Sequence, residues 1–314
     1  MKIVIPGGSG HLGQMLRTAF SARGHRVTVL GRGSGPDLVT WDGRTLGAWA
    51  HEIDGCDAVV NMAGRTVNCR YTAANLQEMM SSRIDSAKII GEAIAAASKP
   101  PRVWLQSSTA TIYKHTRGPA NDEHHGEIGG GEPEVPRYWD FSVRIATEWE
   151  RMLDEAVTPS TRKVAMRMAM VMGAEPGGTF DILFGVARWG FGGALAGGDQ
   201  FMSWIHERDF VRAVEFLIER EDLEGPVNLA SSHPLPQREF MAAVRAAAGL
   251  TIALPVTSWM YEVGAFFLRS DTELLRKSRR AVPTRLLEAG FAFEFPSWPQ
   301  AARDLVTRVR ARPS

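Results

Sequence analysis

The chain is poor in residues that would mark a specialised class. It holds 2 cysteines and 4 tyrosines in 314 residues. A surplus of one charge is missing too: 36 Lys and Arg stand against 35 Asp and Glu, a formal net charge of +1. That balance gives no global field to recruit nucleic acid or an anionic membrane, and neither is expected as a partner. No apolar run reaches the roughly 18 residues of a membrane span. The opening Met1-Lys2-Ile3-Val4-Ile5 breaks at Pro6-Gly7-Gly8, too early for a signal-peptide core. Cys56 and Cys69 form no Cys-x-x-Cys pair, so two reduced thiols in a cytoplasmic protein is the expectation. What is present is ordinary: 44% apolar and 23% charged residues, which excludes collagen, coiled coil and disorder. No internal repeat is visible, and the length fits one large domain or two small ones.

Strand and helix signals alternate through the first half. Residues 2–5, 27–30, 38–41, 57–62, 103–106 and 164–168 are short strand-like runs, and 11–23, 72–98 and 141–156 carry helical spacing. In the first helix Leu12, Met15, Leu16, Ala19 and Phe20 share one face, and Gly24 is placed to end it. This alternation implies βαβ units and a mostly parallel, doubly wound α/β sheet covered on both faces. After Met172 the rhythm changes. Glycine-rich loops at 173–178 and 190–198 flank an apolar segment, followed by helices at 208–221, 237–248 and 298–310 and a strand at 226–229. This part is expected to form a smaller, interleaved lobe over the ligand edge of the sheet. The stretch 114–138 reads as a long polar loop, of the kind that acts as a lid or stays disordered.

Between the first strand and first helix lies Gly7-Gly8-Ser9-Gly10-His11-Leu12-Gly13, with glycines at 7, 10 and 13. A dinucleotide's pyrophosphate calls for such a turn: backbone freedom, close approach of amides, and the partial positive charge of a helix N-terminus. A plain glycine-rich turn is the alternative. Gly7, Ser9, Gly10, His11, Leu12 and Gly13 are therefore assigned to the cofactor. The end of the second strand selects which one. An NAD site places an acid there for the ribose 2′-hydroxyl. Here Leu30-Gly31-Arg32-Gly33-Ser34 carries none before Asp37. Arg32 offers a charge-assisted fork to a 2′-phosphate and Ser34 a hydroxyl, so NADP(H) is expected; the alternative is that Arg32 is a solvated loop charge. Asp42 either reaches the adenine amino group or caps a turn with Gly43. Asn61-Met62-Ala63-Gly64 ends the fourth strand, where small residues let backbone pass beside the cofactor; Met62, Ala63 and Gly64 are assigned there, with a structural turn as the alternative.

The glycine loop, Asn61-Met62-Ala63-Gly64 and Ser107-Ser108-Thr109-Ala110-Thr111-Ile112-Tyr113 resemble the extended short-chain dehydrogenase/reductase superfamily. Arg70-Tyr71-Thr72 with Ser82-Arg83, Gly197-Gly198 through Gln200 to Trp204-Ile205-His206 and Asp209, and Ala281-Val282-Pro283 to Gly290-Phe291 resemble its atypical epimerase-like branch, which carries a C-terminal domain of unknown function. The resemblance covers nearly the whole chain. It implies a Rossmann-type sheet in an NADP(H)-binding domain at 1–172 and a substrate lobe at 173–314, with the family-specific C-terminal domain at about 250–302.

Chemistry in this superfamily uses a Ser or Thr hydroxyl to hold the substrate oxygen, a Tyr to move a proton, and a Lys four residues later to lower the Tyr pKa. The resemblance places Thr109 at the hydroxyl position, with Thr111 in support. The Tyr-x-x-x-Lys pair is absent: four residues after Tyr71, Tyr113, Tyr138 and Tyr261 stand Asn75, Arg117, Ser142 and Ala265. Aligned through Trp149-Glu150, Ser142 and Ala146 take the pair's places. Tyr113, leaving the strand that carries Thr109, is the candidate substitute facing the nicotinamide, with packing as its alternative; Tyr138 is a weaker one. Thr109 and Tyr113 are thus the candidate catalytic residues.

Other groups read more plainly. Glu207 complements a helix dipole, while His206 and Asp209 match a segment near the substrate lobe. His124-His125 lacks the spacing of a helical metal pair, and no metal is expected. Arg276-Lys277 with Arg279-Arg280 is a solvated face or a contact for a substrate phosphate. Trp189, Phe191, Phe201 and Trp204 are core, or a lip over the nicotinamide. The expected function is an NADP(H)-dependent oxidoreductase or epimerase acting on a small hydroxyl or carbonyl compound, a nucleotide sugar included. The rival is a catalytically silent dinucleotide sensor that presents its second lobe to a protein partner.

Overall fold

Runs of β-branched and other apolar side chains build the centre of the molecule. The computed structural model describes residues 1–33, 35, 38–67, 69–132, 137–195, 197–251, 253–254 and 277–312, the side chains of 137 and 138 excepted. The strands are β1 (Lys2–Pro6), β2 (Arg26–Gly31), β3 (Leu38–Thr40), β4 (Ala58–Asn61), β5 (Val103–Thr109), β6 (Arg162–Met168), β7 (Met170–Met172), β8 (Phe201–Met202), β9 (Trp204–His206), β10 (Gly225–Leu229) and β11 (Leu235–Pro236). Seven of them pair in the order β10-β6-β5-β4-β1-β2-β3, every pairing parallel. The order turns back on itself at β1 and β4, which opens a ligand crevice beyond their carboxyl ends. β5 continues three residues past its expected end, so that Thr109 pairs with Met168 at the rim.

The helices are α1 (His11–Ala22), α2 (Ala73–Ala96), α3 (Arg137–Glu155), α4 (Thr179–Val186), α5 (Glu207–Glu219), α6 (Gln237–Ala248), α7 (Thr284–Glu288) and α8 (Trp298–Arg310). Side chains alternate across a strand, so each strand feeds two cores. Ile3, Ile5, Val103 and Leu105 face α1 and α5, meeting Leu16, Phe20, Phe210 and Leu217. Val4, Val59 and Trp104 face α2 and α3, meeting Ile90, Ile94, Trp149 and Leu153. A third core builds the second lobe from α4, α6 and α8, with Trp298 stacked on Phe240 at 3.8 Å. β10 and α5 lie late in the chain yet belong to the central layers, so the two parts interleave. Among the described residues no helix is long and apolar enough to cross a membrane.

Two expectations change here. The described part of the 114–138 loop is tied down rather than lid-like: Asn121 N–H donates to Arg280 C=O at 2.6 Å, and Val282 N–H donates back to Asn121 C=O at 3.0 Å. The aromatic set also divides. Trp204 is core, whereas Trp189 is 82% exposed and Phe191 39%, on a turn after α4.

Candidate active site

The glycine loop sits at the crevice. Gly7 has φ +72°, and a side chain there would come within 2.5 Å of the Ala63 backbone. A Cβ at Gly13 would come within 2.4 Å of Gly8, so α1 packs directly on the turn. Gly10 is the N-cap of α1 with extended backbone and no side-chain cap. The first amides of a helix have no partner within it, so those of His11, Leu12 and Gly13 are offered to an anion. Ser9 is exposed, its Oγ lying over Gly31, and Leu12 is half-buried against the sheet. His11 Nε2 stands 3.5 Å from Glu175 Oε2, which brings the loop 173–178 over the mouth of α1. These residues fit a bound dinucleotide: a tight turn that admits no Cβ at Gly7 or Gly13, opening on uncapped amides.

Met62 and Ala63 follow β4 along the same mouth. Met62 N–H donates to Pro6 C=O at 2.8 Å, and Ala63 N–H to Asn61 Oδ1 at 3.0 Å. Asn61 itself is buried and donates to Gln106 Oε1 at 2.9 Å. Gly64 is exposed and backed by Arg83, whose buried guanidinium donates to Met79 and Arg65 carbonyls and lies over the Trp149 ring. Burial lowers the Arg83 pKa to about 10. Arg32 is exposed one residue beyond β2. Ser34 lies outside the described residues. Asp42 caps a turn: Oδ1 accepts from the Arg44 and Thr45 amides at 2.9 and 3.0 Å. Those amides lower its pKa to about 2.

At the end of β5, Thr109 is half-buried and N-caps the turn that follows. Its Oγ1 accepts from the Thr111 amide at 3.2 Å and lies 3.1 Å from Thr111 Oγ1. Tyr113 does not stand with it. The phenol is buried, donates to Asn228 Oδ1 at 2.9 Å, and accepts from Arg167 Nη1 at 3.1 Å. Arg167 is in turn forked onto Glu150 at 2.9 and 2.7 Å, and Ser108 Oγ donates to the same carboxylate at 2.5 Å. Burial raises the Tyr113 pKa although Arg167 opposes it. The expectation of a phenol turned to the nicotinamide is corrected accordingly: Arg167 of β6 and Asn228 of β10 take the Tyr113 hydroxyl into a buried network. Ala146 is buried beside Tyr113 in the same small cluster. The side chain of Tyr138 lies outside the described residues.

The basic run near 280 is also corrected. Lys277 and Arg279 are buried, and both meet Thr111: Lys277 Nζ donates to its carbonyl at 2.9 Å and Arg279 Nε to its hydroxyl at 3.1 Å. Of the two readings, burial overturns the solvated face; the two-residue spacing that puts both on one side of the segment was the available signal.

Glu207 does more than complement a dipole. It is buried, accepts the Ala174 amide at 3.2 Å, pairs with Arg308 and abuts Glu175, and burial together with Glu175 pushes its pKa up to about 7. His206 is fully buried, stacks on Phe295 at 3.8 Å, accepts the Arg208 amide at Nδ1 and donates from Nε2 to Asp304 at 3.1 Å. Burial lowers its pKa to about 4. Asp209 accepts the Glu294 and Phe295 amides at 2.7 and 2.9 Å. All three therefore fasten the second lobe. His124 pairs with Glu288 at 3.0 Å, and among the described residues no group of three or more metal-ligating side chains converges.

A parallel sheet in this order, with a glycine cradle at its switch point, defines an α/β protein of Rossmann type. Residues 3–134 match the NAD dependent epimerase/dehydratase family, and residues 256–305 match a domain of unknown function, DUF1731. The epimerase family protein SDR39U1 of Bos taurus is 31% identical over 310 residues, spanning 98% of this chain and 100% of that protein. The chain belongs to this epimerase family. The crystal structure of human epimerase family protein SDR39U1 with NADPH superposes with a TM-score of 0.85 at 28% identity, covering 98% of this chain and 99% of that one. UDP-N-acetylglucosamine 4-epimerase from Bacillus cereus shares the fold at 17% identity and a TM-score of 0.73, over 99% of this chain and 100% of that one.

Proposed function

We propose that the protein is a cytoplasmic NADP(H)-dependent oxidoreductase or epimerase acting on a small hydroxyl or carbonyl compound, a nucleotide sugar included. The observation that carries this reading is the cradle at 7–13, closed to side chains at Gly7 and Gly13 and opening on the uncapped amides of α1. The NADPH in the human relative's structure supports NADP(H) as its occupant.

In this reading the α1 amides bind the pyrophosphate, Arg32 binds the 2′-phosphate, and Met62 to Gly64 line the ribose side. When bound, NADPH supplies a hydride to a carbonyl carbon, and the oxygen that gains the electron pair takes a proton. Thr109 holds that oxygen by hydrogen bonding. With the Tyr113 phenol committed to Asn228 and Arg167, the proton reaches the oxygen from water at Thr109. The same commitment, with the missing Tyr–Lys pair, favours the second reading, a silent dinucleotide sensor.

Calorimetry with NADPH and NADH tests the cofactor, and NADPH consumption with quinones, aldehydes and nucleotide sugars tests the chemistry. The enzyme reading expects tighter NADPH binding, plus turnover that Thr109→Val lowers about 100-fold with cofactor affinity kept. Binding without turnover on any probe favours the sensor; no heat with either nucleotide overturns both.

A further inference from the structure

The segment from Lys277 to Val282 is threaded between the loop that follows β5 and the second lobe. Ser278 Oγ donates to Thr116 C=O at 2.5 Å and accepts the Phe201 amide at 2.8 Å. Ser203 Oγ donates to Arg279 C=O at 2.9 Å and accepts the Ala281 amide at 2.8 Å. Gripped from both sides, the segment sends successive side chains to different partners. Ser278 and Arg280 turn one way, Arg280 to the Gly118 carbonyl and the Phe201 ring. Lys277 and Arg279 turn the other way, onto Thr111.

We propose that Arg279 is a positioning residue for the reaction centre, fixing the Thr109 hydroxyl through Thr111. This rests on the reading of Thr109 given above. Arg279 Nε–H occupies one lone pair of Thr111 Oγ1, which restricts the directions that hydroxyl has left for Thr109. Lys277 holds the carbonyl of the same residue and lies over the Trp139 ring at 5.8 Å, near the start of α3. Both cations are buried, where charge is screened least by water and salt. The C-terminal region of this chain thereby reaches the rim of the dinucleotide-binding sheet.

The test is a double-mutant cycle on the full chain with menadione, nitrobenzaldehyde and UDP-glucose as probes, together with the near-ultraviolet difference spectrum of bound NADPH. Arg279→Gln is expected to lower kcat about 10- to 100-fold, the worth of a hydrogen bond from a charged donor, while KM for NADPH changes less than about 3-fold. Arg279→Lys recovers part of the loss. Thr111→Val with Arg279→Gln is no worse than Thr111→Val alone, because Arg279 acts through Thr111. Arg280→Gln, on the opposite side of the same segment, keeps kcat. Additive losses, or equal losses for Arg279→Gln and Arg280→Gln, would mean that Arg279 merely holds the segment and would overturn the proposal. If the unmodified protein turns over no probe, the enzyme reading fails. The spectrum then decides separately: a change with Arg279→Gln and none with Arg280→Gln supports the placement, and no change with Arg279→Gln overturns it.

Discussion

At the scale of single residues, two side chains separate binding from scaffold. Arg32 stands exposed past β2, with no acid in the loop up to Asp37 to repel a phosphate. Arg32→Ala is expected to weaken NADPH about 10- to 100-fold and leave NADH unchanged, since only the first carries the extra anion. Calorimetry with both cofactors reads the ratio, and an unchanged ratio removes Arg32 from the site. Tyr113 is expected to behave in the opposite way. Its hydroxyl satisfies Asn228 and Arg167 in a buried network, so Tyr113→Phe orphans both and costs about 1–3 kcal/mol of stability. Turnover per folded molecule stays within about 2-fold, because the phenol belongs to no step. Urea denaturation beside kcat checks both halves; a large fall in kcat at unchanged stability would return Tyr113 to the reaction.

At the scale of elements, α5 opens with two titrating groups of opposite sign. His206 has its pKa lowered from 6.5 to about 4, so between those pH values the unfolded chain binds a proton that the folded one refuses. Its contribution is whole above pH 6.5 and is lost as pH falls toward 4, a loss of about 3 kcal/mol at 1.4 kcal/mol per pH unit. Glu207 is raised from 4.5 to about 7, so the folded chain binds a proton that the unfolded one lacks. Its burial is costly above pH 7, and that cost fades as pH falls to 4.5. Urea midpoints against pH separate the two: His206→Gln flattens the acid limb relative to the unmodified chain, and Glu207→Gln gains most above pH 7. These pairings were hidden from the sequence, because Asp304 and Arg308 lie far along the chain from the turn they meet. The elements themselves were legible. Helical spacing in α1 and α8 and β-rich runs in β1, β2 and β4 depend on neighbours a few residues away. The glycine cradle was legible through its local part, Gly13 packing on Gly8; the approach of Gly7 to the Ala63 backbone, across the sheet, was not. Tyr113 was misread because Asn228, its partner, lies 115 residues later. The solvated-face reading of Lys277 and Arg279 failed because Thr111, whose carbonyl and hydroxyl they meet, lies 166 and 168 residues earlier.

At the scale of the whole molecule, the chain order of the elements decides how it unfolds. β10 pairs with β6 along five residues and closes one edge of the central sheet, yet it follows β7 to β9 and α4 of the second lobe. α5, from the same late stretch, covers one face of the sheet with Phe210, Val214 and Leu217. The segment from 277 onward is then clamped by Thr116 and Asn121 on one side and Phe201 and Ser203 on the other, and α8 closes the lobe core over Phe240. Neither part can leave without exposing apolar surface of the other, and that shared surface couples them into one transition. A perturbation deep in the lobe should therefore lower the melting temperature of the whole. Trp298 is the sharpest place to apply one, being buried, stacked on Phe240, edge-on to Trp204 at 4.9 Å, and donating its indole N–H to the Phe240 carbonyl at 2.8 Å. Trp298→Ala should cost about 3–5 kcal/mol through lost burial and the cavity left behind. Scanning calorimetry is expected to show one transition in both proteins, shifted down in the variant, with NADPH raising the midpoint of each by mass action. Two resolved transitions, of which NADPH moves only the upper, would show that the lobes fold apart and that interleaving does not bind them.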